Sequence, residues 1–297
     1  MIEIIVRGSG SSGNQTVIRE TKSRKCLVID AGIKPKQSDI KNAVAVCMTH
    51  CHSDHSSYLK PFKGVPILST REELMDNRVM KQYDLITSIP KFVYAELNQT
   101  YEFSPFKVTV LHAQHDTKNP VHFFIQCGNQ SVFYGCDTPH LQEELDEYFK
   151  KADVIMIDCN YDVRLMKRDD TYSIALKDRI VRKGHSSTQY IKQRMYRYQN
   201  KLVLMHLSSV YNAIEYVKDK LPDSLAVVSR EMCPYKVSMR KDENRLRTKV
   251  SKNRPPLRRA ARQDSGTRKV PVQRKQRMDK SPVHHRSVDR RNTKKSD

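Results

Sequence analysis

No apolar run in this chain of 297 residues approaches the roughly 20 needed to cross a bilayer, so no membrane-spanning helix is expected. The opening Met1-Ile2-Glu3-Ile4-Ile5-Val6 is short and carries a charge, which is not the pattern of a secretory leader. Close cysteine pairs are missing too. Seven cysteines stand at 26, 47, 51, 127, 136, 159 and 233, an odd number with no CxxC spacing, and most fall in apolar strand-like runs. A free thiol there behaves as a small hydrophobe, so the usage excludes a disulfide framework and points to a reducing, cytoplasmic setting.

Aromatic residues are wholly absent from 240–297, where the few aliphatics show no period and Pro255, Pro256, Pro271 and Pro282 break any helix. That stretch holds 21 basic and 6 acidic residues, a surplus of 15 out of the chain's net +21. Such a composition buries too little apolar surface to offset ordering entropy, so a disordered basic tail is expected over 240–297, after one domain over 1–239. Basic pairs such as Arg258-Arg259, Arg274-Lys275 and Arg290-Arg291 suit non-specific binding to nucleic acid through phosphate neutralisation. No apolar anchor stands beside them, which disfavours a membrane surface.

What the chain does have is concentrated in Thr49-His50-Cys51-His52-Ser53-Asp54-His55. Three imidazoles and a carboxylate follow Ala43-Val44-Ala45-Val46-Cys47-Met48, which reads as a buried strand. Imidazole nitrogen and carboxylate oxygen suit a divalent transition metal, and alternation along an extended backbone turns His50 and His52 the same way. The same alternation turns Cys51 away from them. Asp54 and His55 come after the chain has turned, so they can approach a second ion from another side.

The spacing His-x-His-x-Asp-His resembles the signature of the metallo-β-lactamase superfamily, an αββα sandwich. The resemblance implies three further ligands after strands. His115 follows Phe106–Leu111 in His-Asp-Thr, Asp137 follows Ser131–Cys136 in Gly-Cys-Asp-Thr, and His206 follows Lys201–Met205 in Met-His-Leu-Ser. His112 is a rival to His115 but lacks the Asp-Thr. On this reading His50, His52 and His115 form one site, Asp54, His55 and His206 a second, and Asp137 bridges them. Two divalent ions, zinc or manganese, would share a water and clamp the oxygens of a phosphodiester.

A narrower resemblance, over most of 1–230, is to compact single-domain bacterial and phage exonucleases of that fold, whose bacterial members lie beside the cell-wall two-component operon. It rests on Gly8–Asn14, Leu27–Gly32, Asp153–Asp162, Gly184-His185-Ser186-Ser187 and His206-Leu207-Ser208 with Tyr211-Asn212. Tyr161, Ser186 and Tyr211 depart from that group's pattern. The resemblance implies that His185 approaches the leaving group, against a plain helix-start role among the capping serines 186 and 187. Asn160 and Asn212 become candidate substrate contacts. Arg182 and Lys183, with Arg179, Arg194 and Arg197, are either a solvated helix face or a guide for phosphate. The expected function is a two-metal phosphodiesterase, a DNA exonuclease using a metal-bridging hydroxide, with Asp54, Asp137 and His185 catalytic. A cyclic-nucleotide phosphodiesterase, a lactone or thioester hydrolase, and a nucleic-acid-binding protein with a relict site are the alternatives.

Overall fold

A computed structural model describes residues 1–83 and 90–224 with their side chains, and the backbone of 225–226, 235–238 and 247–250. One sheet carries β1 (Ile2–Gly8), β2 (Gln15–Glu20), β3 (Cys26–Ile29), β4 (Ala43–Cys47), β5 (Ile67–Ser69) and β6 (Phe92–Tyr94) side by side. The second carries β7 (Thr100–Phe103), β8 (Phe106–His112), β9 (Val121–Cys127), β10 (Gln130–Gly135), β11 (Val154–Asp158), β12 (Leu202–Met205) and β13 (Leu225–Ala226). Each sheet begins antiparallel and turns parallel, from β3 onward in the first and from β10 onward in the second. The β9–β10 hairpin turns at Gly128, whose φ of 57° is the left-handed region that glycine enters without a Cβ clash.

Side-chain alternation builds the layers. Ile4, Val6, Ile18, Leu27, Ile29 and Cys47 meet Val108, Val110, Phe123, Val132, Met156 and Met205 between the sheets. The opposite face of the second sheet, through Phe133, Ile155, Ile157 and Leu204, packs on Phe149, Ile191, Met195 and Val217 from helices Asp146–Lys151, Thr188–Met195 and Ile214–Lys220. The first sheet turns Ile5, Val17, Val28 and Val46 outward onto Leu59, Leu74 and Val79. Both faces of each sheet are therefore apolar, and each fully buried Ile, Leu or Phe contributes roughly 1.5–3 kcal/mol. The result is the expected αββα sandwich.

An α-helix from Ile174 to Arg179 is followed by a π turn over Ile180–Gly184. The next helix begins at Thr188, with Ser187 accepting the Tyr190 N–H as its cap at 3.1 Å, and tightens to 3₁₀ at Tyr196–Lys201. One expectation needs adjusting: the sheet runs past the boundary expected at 239. β14 (Tyr235–Ser238) pairs antiparallel with β1, and β15 (Arg247–Val250) pairs with β14. The compact unit accordingly extends over Met1–Arg254. Charge averaged over 58 residues conceals a strand of four. The disorder expected beyond Val250 lies outside the described residues, as does Cys233. Among the described residues no helix is long and apolar enough to cross a membrane.

Candidate metal centre

Both parallel halves deliver their strand ends to one rim, the usual place for a ligand on such sheets. Asp30 follows β3, His50 follows β4, Asp137 follows β10, Asp158 ends β11 and His206 follows β12. Asp30, Asp137 and His206 all hold positive φ, at 59°, 53° and 55°. A side chain with a Cβ costs about 1–3 kcal/mol there, a strain that clusters at functional sites. Gly32 completes the packing: a Cβ on it would meet the Asp54 carbonyl oxygen at 1.6 Å.

The seven residues expected from the sequence do converge. His50 Nε2 lies 3.1 Å from His52 Nδ1, which lies 3.2 Å from His115 Nε2. Three nitrogens about 2.0 Å from one tetrahedral ion would stand about 3.3 Å apart, so the set fits such an ion. Asp54, His55, Asp137 and His206 form the second set. Asp137 Oδ2 is 3.1 Å from His55 Nε2, 3.9 Å from His50 Nε2 and 4.0 Å from His115 Nε2, while its Oδ1 is 3.6 Å from His206 Nε2. One carboxylate thus faces both sets, as a bridge must. His206 Nε2 is buried without a hydrogen-bond partner among the described residues, and coordination to an ion would satisfy it.

Ring orientation is fixed from behind. The Thr49 hydroxyl donates to Asp30 at 3.0 Å, which leaves its oxygen to accept the His50 Nδ1–H at 3.0 Å. His55 donates from Nδ1 to Asp30 at 2.8 Å, and His115 from Nδ1 to the carbonyls of Lys183 and Gly184 at 3.0 and 3.1 Å. The side-chain amide of Asn160 contacts His206 Nδ1 at 3.0 Å and the His206 carbonyl at 2.8 Å. The Nδ1–H bonds of His50, His55 and His115 leave the opposite nitrogen of each of those rings for the cluster. Glu73, fully buried, accepts the Cys51 and Asn119 N–H groups at 2.8 Å each and so ties the two histidine loops together.

Protonation divides the two sets. Burial lowers His50 well below its usual range, with the His55 charge adding to it, and burial likewise lowers His52 and holds His115 down to about 4. These are neutral donors, ready to ligate. Burial also works against charge on His206 and His55, but Asp137 with Asp54 or Asp30 outweighs it, pushing His206 up to about 9 and His55 well above its ordinary value. Burial would raise Asp137, yet the surrounding histidines hold it well below the carboxylate range.

His185 is extended and lies outside the helix, so the capping role falls to Ser187. Its Nδ1 donates to buried Asp158 at 2.7 Å, and its ring stacks on His206 with centroids 4.6 Å apart. Burial raises the Asp158 carboxyl, and His185 opposes that. His185, Asn160, Arg78, Arg179, Tyr172 and Leu176 all line the cleft above the cluster, a volume of about 660 Å³.

Other expected contacts do not reach the cleft. Asn212 gives its amide protons to the carbonyls of Cys159 and Asn160 and to Thr188, so it braces a strand end. Arg182 pairs with Asp178 at 2.7 Å and, with Lys183, lines a neighbouring depression. Cys51 packs into the outer core of the first sheet, away from the histidines. His112 contacts Gln142 and stands apart from both ligand sets. Asp30, Thr49, Glu73, Asp116 and Asp158 were not singled out from the sequence. Asp30 and Asp158 each close a buried strand, a signal that was present but shared with ordinary turn aspartates.

Residues 27–206 match the family model of the beta-lactamase superfamily domain. Sequence comparison with curated proteins finds no match. The fold is similar to Zn-bound PqqB from Methylobacterium extorquens, with a TM-score of 0.59 and 14% identity over 76% of this chain and 97% of that one. It is also similar to the metallo-beta-lactamase fold protein YhfI from Bacillus subtilis (TM-score 0.56, 16% identity, 77% and 97% covered). The short form of human tRNase Z gives a TM-score of 0.54 at 15% identity, with 76% and 96% covered. At these identities the likeness is one of fold.

Proposed function

The chain belongs to the metallo-β-lactamase superfamily, and from that premise we propose that it is a two-metal phosphodiesterase whose substrate is DNA, cleaved from an end. The observation that carries the reading is Asp137 facing two complete donor sets beneath a cleft lined by Arg78 and Arg179. His50, His52 and His115 on one side, and Asp54, His55 and His206 on the other, with Asp137 between, would hold divalent ions, zinc or manganese, which would supply Lewis acidity and lower the pKa of a water. The donor set is chemically suited to them, since imidazole and carboxylate suit both metals.

This chain's own residues do the rest. Asp54 and Asp137 orient the attacking water by accepting its protons. His185, with Nδ1–H committed to Asp158, keeps Nε2 to carry a proton to the departing oxygen. Arg78 and Arg179 attract the anionic backbone. The basic segment 240–297 adds a sequence-independent electrostatic hold on DNA. The short form of tRNase Z, by its name a nuclease, shares the fold and so makes nuclease chemistry compatible with it. Six described cysteines are free and buried, as suits work in the cytoplasm.

Labelled oligonucleotides and a panel of cyclic nucleotides incubated with the purified protein test the reading. Shortening of the oligonucleotide from one end with Mn²⁺ or Zn²⁺, abolished by chelator, is expected. Turnover confined to a cyclic nucleotide, or unaffected by chelator, would overturn it.

A further inference from the structure

Basic side chains crowd the segment around His185, and the fold sorts them. Arg194 and Arg197 both pair with Asp146, Arg182 pairs with Asp178, and Lys183 lines the neighbouring depression. Arg78 lines the cleft but spends Nε and one amino group on its own Asp76, at 2.8 and 3.3 Å. Arg179 is different. It lines the cleft with its side chain 57% exposed, and only Nε is engaged among the described residues, on Asp116 Oδ2 at 2.5 Å.

Its mounting is also specific. Arg179 ends a helix that buries none of its own residues, and the π turn after it brings the carbonyls of Lys183 and Gly184 onto His115. π turns are frequent at functional sites, and this one closes the helix, with His185 extended beyond it. Asp116 in turn sits 3.2 Å from His115 Nε2 and 3.4 Å from His52 Nε2. The guanidinium is thus positioned relative to the metal donors, with two amino groups left at the mouth of the cleft. A planar fork of donors matches a phosphate, where an ammonium would act as a point charge.

We infer that Arg179 binds a phosphate of the polynucleotide next to the one being cleaved, with Asp116 as its positioning residue. This rests on the phosphodiesterase reading. The test compares wild type, Arg179→Ala and Arg179→Lys for oligonucleotide KM, for the salt dependence of single-strand binding, and for bound metal. With metal content unchanged, Arg179→Ala should raise KM about tenfold or more, the loss of a charge-assisted contact. Its log–log salt slope should be shallower by about 0.7, the loss of one phosphate contact on a single strand. Arg179→Lys should keep the slope and still raise KM, since charge survives and the fork does not.

If Arg179→Ala retains metal, KM and slope, Arg179 is only the counter-ion of Asp116 and the inference fails while the function stands. Should Arg179→Ala lose metal, the lysine variant decides, and a wild-type KM in it overturns the fork. A wild-type protein that neither binds nor cleaves the oligonucleotide overturns both readings.

Discussion

At the scale of single residues, His185 makes the sharpest forecast. His185→Ala should cut turnover of DNA by about 10²–10⁴-fold while both donor sets keep their metal, because it contributes to departure alone. The loss should shrink on a p-nitrophenyl phosphodiester, whose leaving group departs without a proton. An equal loss on both substrates would place His185 among the structural residues. The metal donors were legible in the sequence because few other reasons crowd three histidines and an aspartate into six positions. Their supports were not. Asp158 and Asp30 look like any aspartate at a strand end, and only the fold reveals that each accepts a hydrogen bond from a ring N–H. Asn212 was misread for the complementary reason: a family pattern names the residue, but its amide is spent on Cys159 and Asn160.

At the scale of elements, strands were easier to read than helices. Buried strands such as Val154–Asp158 announce themselves as short apolar runs, and the glycine at 128 marks the hairpin between β9 and β10. The helix Ile174–Arg179 has no apolar stripe to read, because it packs none of its residues into the core. The carbonyls of its π turn accept from His115 and its last residue, Arg179, pairs with Asp116, contacts that local propensity does not encode. Nor does sequence alone show that the short helix Arg71–Leu74 supports the metal centre through Glu73. Glu73→Ala would strand the buried Cys51 N–H, at about 1–3 kcal/mol, and the half-buried Asn119 N–H beside it. It should therefore lower the melting temperature and weaken metal binding at the three-histidine set by about 10–100-fold, as loss of an outer support does. Metal titration of the variant checks this; undiminished affinity would show that the loops hold their positions without the carboxylate.

At the scale of the whole molecule, metal binding and folding are coupled through protons. In the metal-free protein His206 is raised from 6.5 to about 9. A raised folded-state pKa means that its ion pairing stabilises fully below the unfolded value and is lost as pH climbs through 9. Stability of the metal-free protein should therefore decline between about pH 6.5 and 9. Metal binding needs the same imidazoles unprotonated, so the loaded protein gains over that window. Melting curves with Zn²⁺ and with chelator should diverge as pH rises, and a constant gap across the window would contradict the assignment of His206 as a ligand. The basic segment belongs to this scale too, and β15 changes where it should be cut. Ending the chain at Met239 removes β15 and leaves β14 as an unpaired edge, which exposes backbone donors and acceptors to aggregation. Ending it at Arg254 keeps the hairpin and removes 14 basic and 4 acidic residues. The longer truncate should keep its melting temperature and its turnover of a small phosphodiester, while the shorter one melts earlier. On duplex DNA the Arg254 truncate should bind more weakly and with a shallower salt dependence, by about 0.9 in log–log slope for each phosphate contact removed. An unchanged slope would assign the electrostatic hold to the folded unit, with the cleft arginines as its source.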